Sequence, residues 1–408
     1  MKRLFFVATL AIMAAGCQKT FVQDEVQTPI GFSTEVGKQT RAIAQVSGNG
    51  SGSYFETQPF GVYAYGHQGD SPATTVMPNV EITKIGDDWK ATGETKYYWP
   101  NDPRTTINFY AYSPADGTIN TTGTYANHQK ILTGEVTHSE EYGLKLENYV
   151  HNNAYVDFMV ADPVRDATYT NKTVDSKNGC VALSFGHKMT QVNFNVKIAD
   201  AASYPNVDFT IHSITLNNIL CGATYSYANE TDGEDNTKAW VTTDQKASYR
   251  IYPATTLTNL GTDAEPVNNM NDAPALVNVD NNETTEVTVV LETDNAAVSS
   301  KSKPGRSFST TPVTMIPQAL TASVASDDPA SVVNGQSFTV VYTISGTGVA
   351  TETVEKTFDF AAATMASGQT AAWDINKKIT YTLTISLNEI TFAPTVEVWD
   401  EATGSYGI

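Results

Sequence analysis

Positively charged residues are scarce in this sequence. Its 408 residues include 25 Lys and Arg against 44 Asp and Glu, so the formal net charge is −19 at pH 7. Only 17% of the residues are charged, which is below the roughly 25% that is typical of soluble domains. A protein surface that follows nucleic-acid phosphates needs clustered cations. The composition therefore argues against nucleic acid as a partner.

Cysteine is also rare, with 3 residues in the whole chain. Cys17, Cys180 and Cys221 form no Cys-x-x-Cys pair, so neither a structural zinc site nor a redox pair is supported. Cys180 and Cys221 both lie in apolar, strand-like sequence. In an exported protein these two residues could form a disulfide, and two buried thiols would fit the same sequence equally well. The sequence leaves both interpretations open.

Catalytic motifs are missing as well. The six His show no His-Glu-x-x-His spacing, and there is no Gly-x-Ser-x-Gly elbow, phosphate loop or dinucleotide fingerprint. Ser300 and Lys303 match Ser-x-x-Lys, but they precede Pro304 in a loop-like stretch, whereas that motif needs a helix. His187 is expected to be a structural residue that is hydrogen-bonded at a strand end. We expect a non-enzymatic protein that has no cofactor.

One acidic stretch, residues 231–236, could supply oxygen ligands to a hard cation. Calcium takes about six to eight oxygens and accepts flexible loops. The stretch lacks the spacing of an EF-hand loop, so a solvated loop is the simpler interpretation and calcium is the alternative. No metal site is predicted.

Long hydrophobic runs are limited to the N-terminus. Met1 to Arg3 begin the chain with two cations, an apolar run follows to Ala15, and Gly16 precedes Cys17. Such a run is too short to span a bilayer and is typical of a signal peptide. Small residues directly before Cys resemble a bacterial lipobox, which implies that Cys17 carries lipid and anchors the protein to a membrane. An ordinary signal peptide with an incidental Cys is the alternative.

Threonine and aromatic residues are abundant by contrast. About one residue in seven is Thr, and aromatic residues make up 10% of the chain. β-Branched and aromatic side chains favour strands, so we expect an all-β protein. Short apolar stretches between turn signals predict the strands listed here: 29–36, 60–65, 97–100, 107–114, 156–161, 181–198, 209–220, 286–291, 338–344, 380–387 and 395–399.

Polar, loop-rich stretches divide this pattern into regions. A change in composition near residues 166–178 indicates a domain boundary. We expect a signal peptide, a tether, an N-terminal β-sandwich domain and a C-terminal β-sandwich domain over residues 1–16, 17–28, 29–175 and 176–408 respectively.

The order of several weak motifs resembles one family. The motifs follow the lipobox Cys in this order: Ile30-Gly31-Phe32, Thr40-Arg41-Ala42, Phe60-Gly61-Val62-Tyr63-Ala64-Tyr65, Tyr97-Tyr98-Trp99-Pro100, Phe109-Tyr110-Ala111-Tyr112-Ser113-Pro114, Leu183-Ser184-Phe185-Gly186-His187-Lys188-Met189, Ile316-Pro317-Gln318 and Trp373-Asp374-Ile375-Asn376-Lys377. Together they resemble the fimbrillin superfamily of Bacteroidales, the major and minor fimbrial subunits. The resemblance extends over nearly the whole chain.

This resemblance implies a fold and a mode of assembly. It implies two transthyretin-like, Greek-key β-sandwich domains and a lipoprotein precursor at the outer membrane, exposed at the cell surface. An Arg-specific protease would cut after Arg41, the first strand would leave, and a strand from another fimbrial subunit would fill the groove. The matching leaving-strand positions are Ile30, Phe32, Thr34 and Val36. The matching donor positions are Val396, Val398 and Trp399.

Physical chemistry supports such an exchange independently of the resemblance. An emptied groove exposes unpaired backbone groups and apolar pockets, and an added strand satisfies both. The resulting homo- or heteropolymer would be a fimbrium that serves adhesion to host glycans or proteins.

A monomeric surface lipoprotein that binds glycans or other host ligands is the alternative function. The clusters Tyr97-Tyr98-Trp99 and Tyr110/Tyr112 could stack on sugars, although alternating aromatic residues more often belong to a core. The strand, loop and Arg at residues 30–41 distinguish the two hypotheses, because a simple binding protein does not need that arrangement.

Overall fold

The structure is a computed structural model that describes residues 28–36, 59–85, 88–93, 95–102, 104–115, 132–151, 156–169, 180–198, 207–229, 239–252, 289–292, 307–310, 312–324, 334–346, 348–362, 372–386 and 389–398. Within these ranges the chain forms 24 strands and two 3-10 turns, Tyr227–Asn229 and Phe360–Ala362, and no α-helix. The all-β prediction is confirmed. The transthyretin-like, Greek-key division into two domains stays a prediction, and the expected boundary near residue 175 lies outside the described residues.

The N-terminal part forms an eight-stranded sheet. Its strands are β1 (Gly31–Val36), β2 (Phe60–Gln68), β3 (Thr74–Ile85), β4 (Asp88–Ala91), β5 (Thr105–Ser113), β8 (Met159–Ala161), β9 (Val164–Ala167) and β10 (Cys180–His187). The order is β2-β3-β4-β1-β10-β8-β5-β9, and β5 also pairs with β2. The pairing path therefore returns to β2, and we call this sheet the closed sheet. In β10 every second side chain is buried, as expected for a strand with one face toward the interior of the sheet.

The C-terminal part contains two five-stranded sheets that share one core. The first contains β11 (Thr190–Ile198), β17 (Ser307–Ser309), β18 (Val313–Met315), β23 (Lys377–Ile385) and β24 (Ile390–Val398). The second contains β12 (Val207–Leu220), β15 (Lys246–Tyr252), β16 (Val289–Glu292), β20 (Ser337–Gly346) and β21 (Val349–Asp359). Buried side chains from both sheets, including Phe194, Phe209, Phe338 and Tyr381, form one cluster. We call this pair of sheets the C-terminal sandwich.

A four-stranded sheet combines strands from two separate stretches of the chain, residues 135–150 and 222–242. Its order is β14 (Trp240–Thr242), β13 (Gly222–Ser226), β7 (Gly143–Val150) and β6 (Glu135–Ser139). Its core also includes Met189, Ile316 and Ile375, which lie next to strands of the C-terminal sandwich. A short pair, β19 (Gln318–Ala319) and β22 (Ala372–Trp373), completes the fold.

The predicted long strand 181–198 is two strands in the structure. β10 ends at His187 and belongs to the closed sheet, whereas β11 begins at Thr190 and belongs to the C-terminal sandwich. Residues buried in β10 have odd numbers, while the apolar residues buried in β11 have even numbers. A change of one residue in a two-residue period turns the other face of the strand inward, so one continuous strand could not bury both sets.

Candidate strand-exchange site

Strand β1 lies between two neighbours in the closed sheet. Residues Gly31–Val36 pair in parallel with residues 180–185 of β10. On the other side Phe32 pairs with Trp89 of β4. The residues before β1 are also held, because Ile30 N–H donates to the Tyr97 carbonyl at 2.9 Å. β1 is thus the strand that joins β10 to β4 and completes the closed sheet.

The inward face of β1 contributes to the core. Ile30 is 8% exposed and Phe32 is 3% exposed. The Phe32 ring packs edge-on against Phe60 and Phe109, with centroids 6.1 Å and 5.9 Å away. Burying an aliphatic or aromatic side chain of this size stabilises a fold by about 1.5 to 3 kcal/mol. Thr34 is half-buried. Val36 is the last residue of the strand, and its side chain is not among those that the structure describes.

The outward face of β1 lies close to Cys180 at Gly31. A Cβ atom added to Gly31 would lie 3.0 Å from the Sγ atom of Cys180 on β10. Cys180 and Cys221 are both free thiols in the structure. The sequence leaves a disulfide and two thiols open, and the structure has the two thiols. Cys221 is buried, and this burial raises the pKa of its thiol.

The predicted donor residues lie in the last described strand. β24 pairs with β23 and forms an edge of the C-terminal sandwich, and no other described strand pairs with it. Val396 is half-buried against the sandwich core, whereas Val398 is 42% exposed. Trp399 lies outside the described residues. Both described donor candidates are therefore paired within their own chain in this structure.

Two residues of β24 that the sequence analysis did not single out share a spacing with β1. Ile390 and Phe392 face the sandwich core, and the Phe392 ring lies 5.1 Å from that of Phe338. Ile390, Phe392 and Val396 have the spacing Ile-x-Phe-x-x-x-Val, and Ile30, Phe32 and Val36 have the same spacing. The repeat was readable in the sequence.

Several predicted residues cannot be placed in this site. Cys17 and Arg41 lie outside the described residues, as do the acidic stretch 231–236 and the Ser-x-x-Lys stretch 300–303. The part of the chain that is described contains no group of three or more His, Cys, Asp or Glu placed to hold a metal ion. Among the same residues, no helix has the length and apolarity needed to cross a membrane.

His187 is a buried residue at the end of β10. Its Nδ1 atom lies 2.7 Å from Asp157 Oδ2, so the expectation of a hydrogen-bonded histidine at a strand end is confirmed.

The aromatic clusters considered for sugar binding are largely core. Trp99 and Tyr112 are buried, and Tyr112 O–H donates to Asn79 Oδ1 at 2.7 Å. Tyr110 is also buried, with 5% of its surface exposed.

Comparison with solved structures finds fimbrial proteins. One is a fimbrial protein from Bacteroides vulgatus ATCC 8482, with 18% identity, coverage of 91% of this chain and 99% of that chain, and a TM-score of 0.48. Another is the tip fimbrial protein Mfa3 from Porphyromonas gingivalis with C-terminal truncation, with 11% identity, coverage of 90% and 100%, and a TM-score of 0.27. A comparison with curated proteins finds no match.

Comparison with family models gives a match that includes most of the chain. The model described as fimbrillin-like matches residues 40–399. The matched range includes nearly all of the strands described above, from β2 to β24. On the strength of this match, the chain belongs to the fimbrillin-like family.

Proposed function

We propose that this chain is a non-enzymatic fimbrial subunit that is assembled at the cell surface by strand exchange. In this proposal the chain is exported as a lipoprotein with lipid on Cys17, cleavage after Arg41 frees β1, and a strand of another subunit takes its place. The observation that carries the proposal is the position of β1, which completes the closed sheet near the chain's N-terminus and buries Ile30 and Phe32 in its core.

Loss of β1 would leave a groove that needs a replacement strand. The facing backbones of β10 and β4 would lose their partner strand, and unpaired strand edges recruit other strands. The rings of Phe60 and Phe109, which contact Phe32, would become open to water. An entering strand that restores both the hydrogen bonds and the apolar contacts would bind by β-augmentation.

Strand β24 has the pattern that such a donor requires. Its residues alternate between half-buried and exposed from Ile390 to Glu397, so one face is apolar and the other is solvated. In the register that superposes Ile390 on Ile30, Phe392 replaces Phe32 and Val396 replaces Val36. Val398 and Trp399 would extend beyond the end of the replaced strand.

Donation by β24 has a cost within its own subunit. All nine residues of β24 pair with β23, and Phe392 contacts Phe338 and Phe358 at 5.1 Å and 5.4 Å. Exchange would therefore replace the contacts of β24 with β23 by contacts with the groove of another subunit. The net stabilisation would come from filling the groove that cleavage empties.

The partners in this proposal are fimbrial subunits, either copies of this chain or different ones, the outer membrane that holds the lipid, and an Arg-specific protease. The resulting fimbrium would serve adhesion.

The proposal can be tested with the full chain carrying Cys17→Ser, which removes the lipidation site. Limited digestion with an Arg-specific protease should give a new N-terminus at Ala42, followed by release of the β1 peptide and growth of particle size in size-exclusion chromatography. The Arg41→Ala variant is the matched control and should stay monomeric under the same digestion. A peptide with the sequence of residues 390–398 should bind only the cleaved protein.

Two results would contradict this function. Cleaved protein that keeps the β1 peptide bound and stays monomeric, with or without other fimbrial subunits, would show that β1 does not leave. Equal binding of the 390–398 peptide and of the same peptide with Phe392→Asp would show that the groove does not select the apolar spacing.

A further inference from the structure

Strand β21 forms an open edge of the C-terminal sandwich. It is 11 residues long and pairs with β20 on one side. Within the described ranges no strand pairs with its other side. Most of its side chains are exposed. A long exposed edge presents a row of backbone N–H and C=O groups that can pair with another strand.

Contacts with β20 hold this edge in place. The Oγ1 atoms of Thr353 and Thr343 lie 2.9 Å apart, and those of Thr357 and Thr339 are also separated by 2.9 Å. The backbones of β20 and β21 pair along nearly the whole length of β21. The edge is therefore ordered before a partner arrives, which lowers the entropic cost of pairing.

The same side of the sandwich presents apolar side chains that are incompletely buried. Val354 and Phe358 of β21 and Phe392 of β24 pack against the core and are partly buried. The rings of Phe358 and Phe392 lie 5.4 Å apart, so β21 and β24 are edges on the same side of the sandwich. A chain placed along β21 would cover part of this apolar surface, and burial of apolar surface favours association.

The charged side chains of β21 restrict which strand can pair with it. Glu352, Glu355 and Lys356 are exposed. None of the three has an ion-pair partner in the part of the chain that the structure describes. Charges on an edge discourage pairing with unrelated strands. A strand that places opposite charges across from Glu352 and Lys356 would be favoured instead.

A second copy of β21 supplies these opposite charges in an antiparallel arrangement. When Val354 lies opposite Val354 of the second copy, Glu352 of each copy faces Lys356 of the other. These three residues are two positions apart along the strand, so their side chains lie on the same face. The arrangement therefore forms two Glu–Lys pairs on either side of a central pair of valines.

Neighbouring registers lack this match. With Glu355 at the centre, the two Glu355 carboxylates face each other, and like charges directly opposite are destabilising. With Thr353 at the centre, Glu352 faces Val354 and no charge faces its opposite. The charges of β21 thus select the register centred on Val354.

We propose that β21 pairs antiparallel with β21 of a second copy of this chain, in the register centred on Val354. The strands β15, β12, β20 and β21 of both copies then form one continuous sheet across a two-fold axis. The contact is isologous, so it joins two chains and does not extend further. One strand from each copy makes a small interface, so we expect pairs at high protein concentration and monomers at the dilution of size-exclusion chromatography.

Disulfide trapping tests the register. In the concentrated, uncleaved Cys17→Ser chain, Val354→Cys places two thiols opposite each other with Cα atoms about 4.5 to 5.5 Å apart, a separation that a disulfide spans. Mild oxidation should therefore give a covalent dimer on a non-reducing gel. Thr351→Cys is the matched control and should not crosslink, since its two copies lie about 20 Å apart in this register. The parent chain, which keeps Cys180 and Cys221, should not crosslink either.

Sedimentation equilibrium tests the charge pairs. Glu352→Lys and Lys356→Glu each replace both attractive pairs by repulsive ones and should weaken dimerisation at least about tenfold. A mixture of the two variants should form a heterodimer about as tightly as the parent chain, because every charge again faces its opposite. Both variants change exposed residues and are expected to fold normally.

Three results would overturn the proposal. One is the absence of a covalent dimer from Val354→Cys, and another is equal crosslinking of Thr351→Cys. The third is a mixture of Glu352→Lys and Lys356→Glu that associates no more tightly than either variant alone. Digestion after Arg41 in the Glu352→Lys chain reads strand exchange without β21 pairing, so failure of one proposal is distinguishable from failure of the other.

Discussion

The Nδ1 atom of His187 lies 2.7 Å from Asp157 Oδ2, and both side chains are completely buried. His187 is the last residue of β10, the strand that holds β1, and Asp157 precedes β8, the neighbour of β10 on the other side. The backbone supports the same link, because Lys188 N–H donates to the Phe158 carbonyl at 2.8 Å. The buried pair therefore fixes the end of the strand on which the first strand rests.

Removing one member of this pair should destabilise the protein. We expect Asp157→Ala to lower the free energy of unfolding by about 1 to 3 kcal/mol, because the buried imidazole loses a hydrogen-bond partner. Asp157→Asn keeps a carbonyl oxygen at the same place and should cost less. Urea denaturation measures both, with Asp162→Ala on the exposed surface as the control. A loss in Asp157→Ala no larger than in the control would show that the pair does not hold β10.

The contribution of β1 to stability can be measured through Phe32. We expect Phe32→Ala to cost about 3 to 5 kcal/mol, since it leaves a cavity between Phe60 and Phe109. Ser33→Ala changes the outward face of the same strand and should shift stability by less than about 0.5 kcal/mol. Denaturant unfolding of the two variants provides the comparison. Similar stability of both would mean that β1 adds little to the closed sheet.

The two thiols offer a direct report on the departure of β1. Cys180 packs against Gly31, whereas Cys221 is buried in the sandwich core. After cleavage at Arg41 and release of β1, alkylation of Cys180 should accelerate severalfold, while Cys221 should stay protected. Mass spectrometry of the Cys17→Ser chain separates the two sites. Unchanged alkylation of Cys180 after release of the β1 peptide would contradict the observed packing.

His151 should make stability depend on pH. Its Nε2 atom lies 2.7 Å from the Thr314 carbonyl oxygen, which can only accept, so the proton is on Nε2 and Nδ1 accepts from the Tyr149 hydroxyl at 2.9 Å. Both ring nitrogens are thus satisfied in the neutral form. Burial lowers the pKa of His151 to about 4. An unfolded histidine has a pKa of about 6.5.

Between pH 6.5 and 4 the unfolded chain gains a proton at this site that the folded chain does not. The free energy of unfolding should therefore fall as the pH decreases through this window, by up to about 3 kcal/mol from this residue. Denaturant titrations at several pH values measure the slope, and His151→Gln should reduce it. Burial also lowers the pKa of His138 to about 4, so part of the slope should remain. An unchanged slope in His151→Gln would refute the assignment.

Much of the fold was predictable because period-two alternation is a local property. The alternation of Ile30 and Phe32 with polar residues predicted a strand with one buried face, and both side chains are buried. Strand β21 was missed since most of its residues are exposed and it carries no apolar alternation. It is a strand because its backbone pairs with β20 along nearly its whole length.

The donor strand β24 also combines features that local sequence predicts with features that only the structure shows. Val396 and Val398 could be proposed from their position near the C-terminus, but their pairing with Ile379 and Lys377 of β23 depends on residues far from them in the sequence. The similarity of Ile390 and Phe392 to Ile30 and Phe32 is present in the sequence, but only the tertiary structure shows that β24 forms a sheet edge.

The shortage of cations, the signal-like N-terminus, the β-rich composition and the order of its motifs were determined by the sequence alone. Those features depend on composition and local spacing, which need no knowledge of distant contacts. Only the tertiary structure decided that β1 closes a sheet between β10 and β4, and that residues 181–198 divide between two sheets. Each of these depends on which strands pair across long stretches of chain, and local patterns do not specify that pairing.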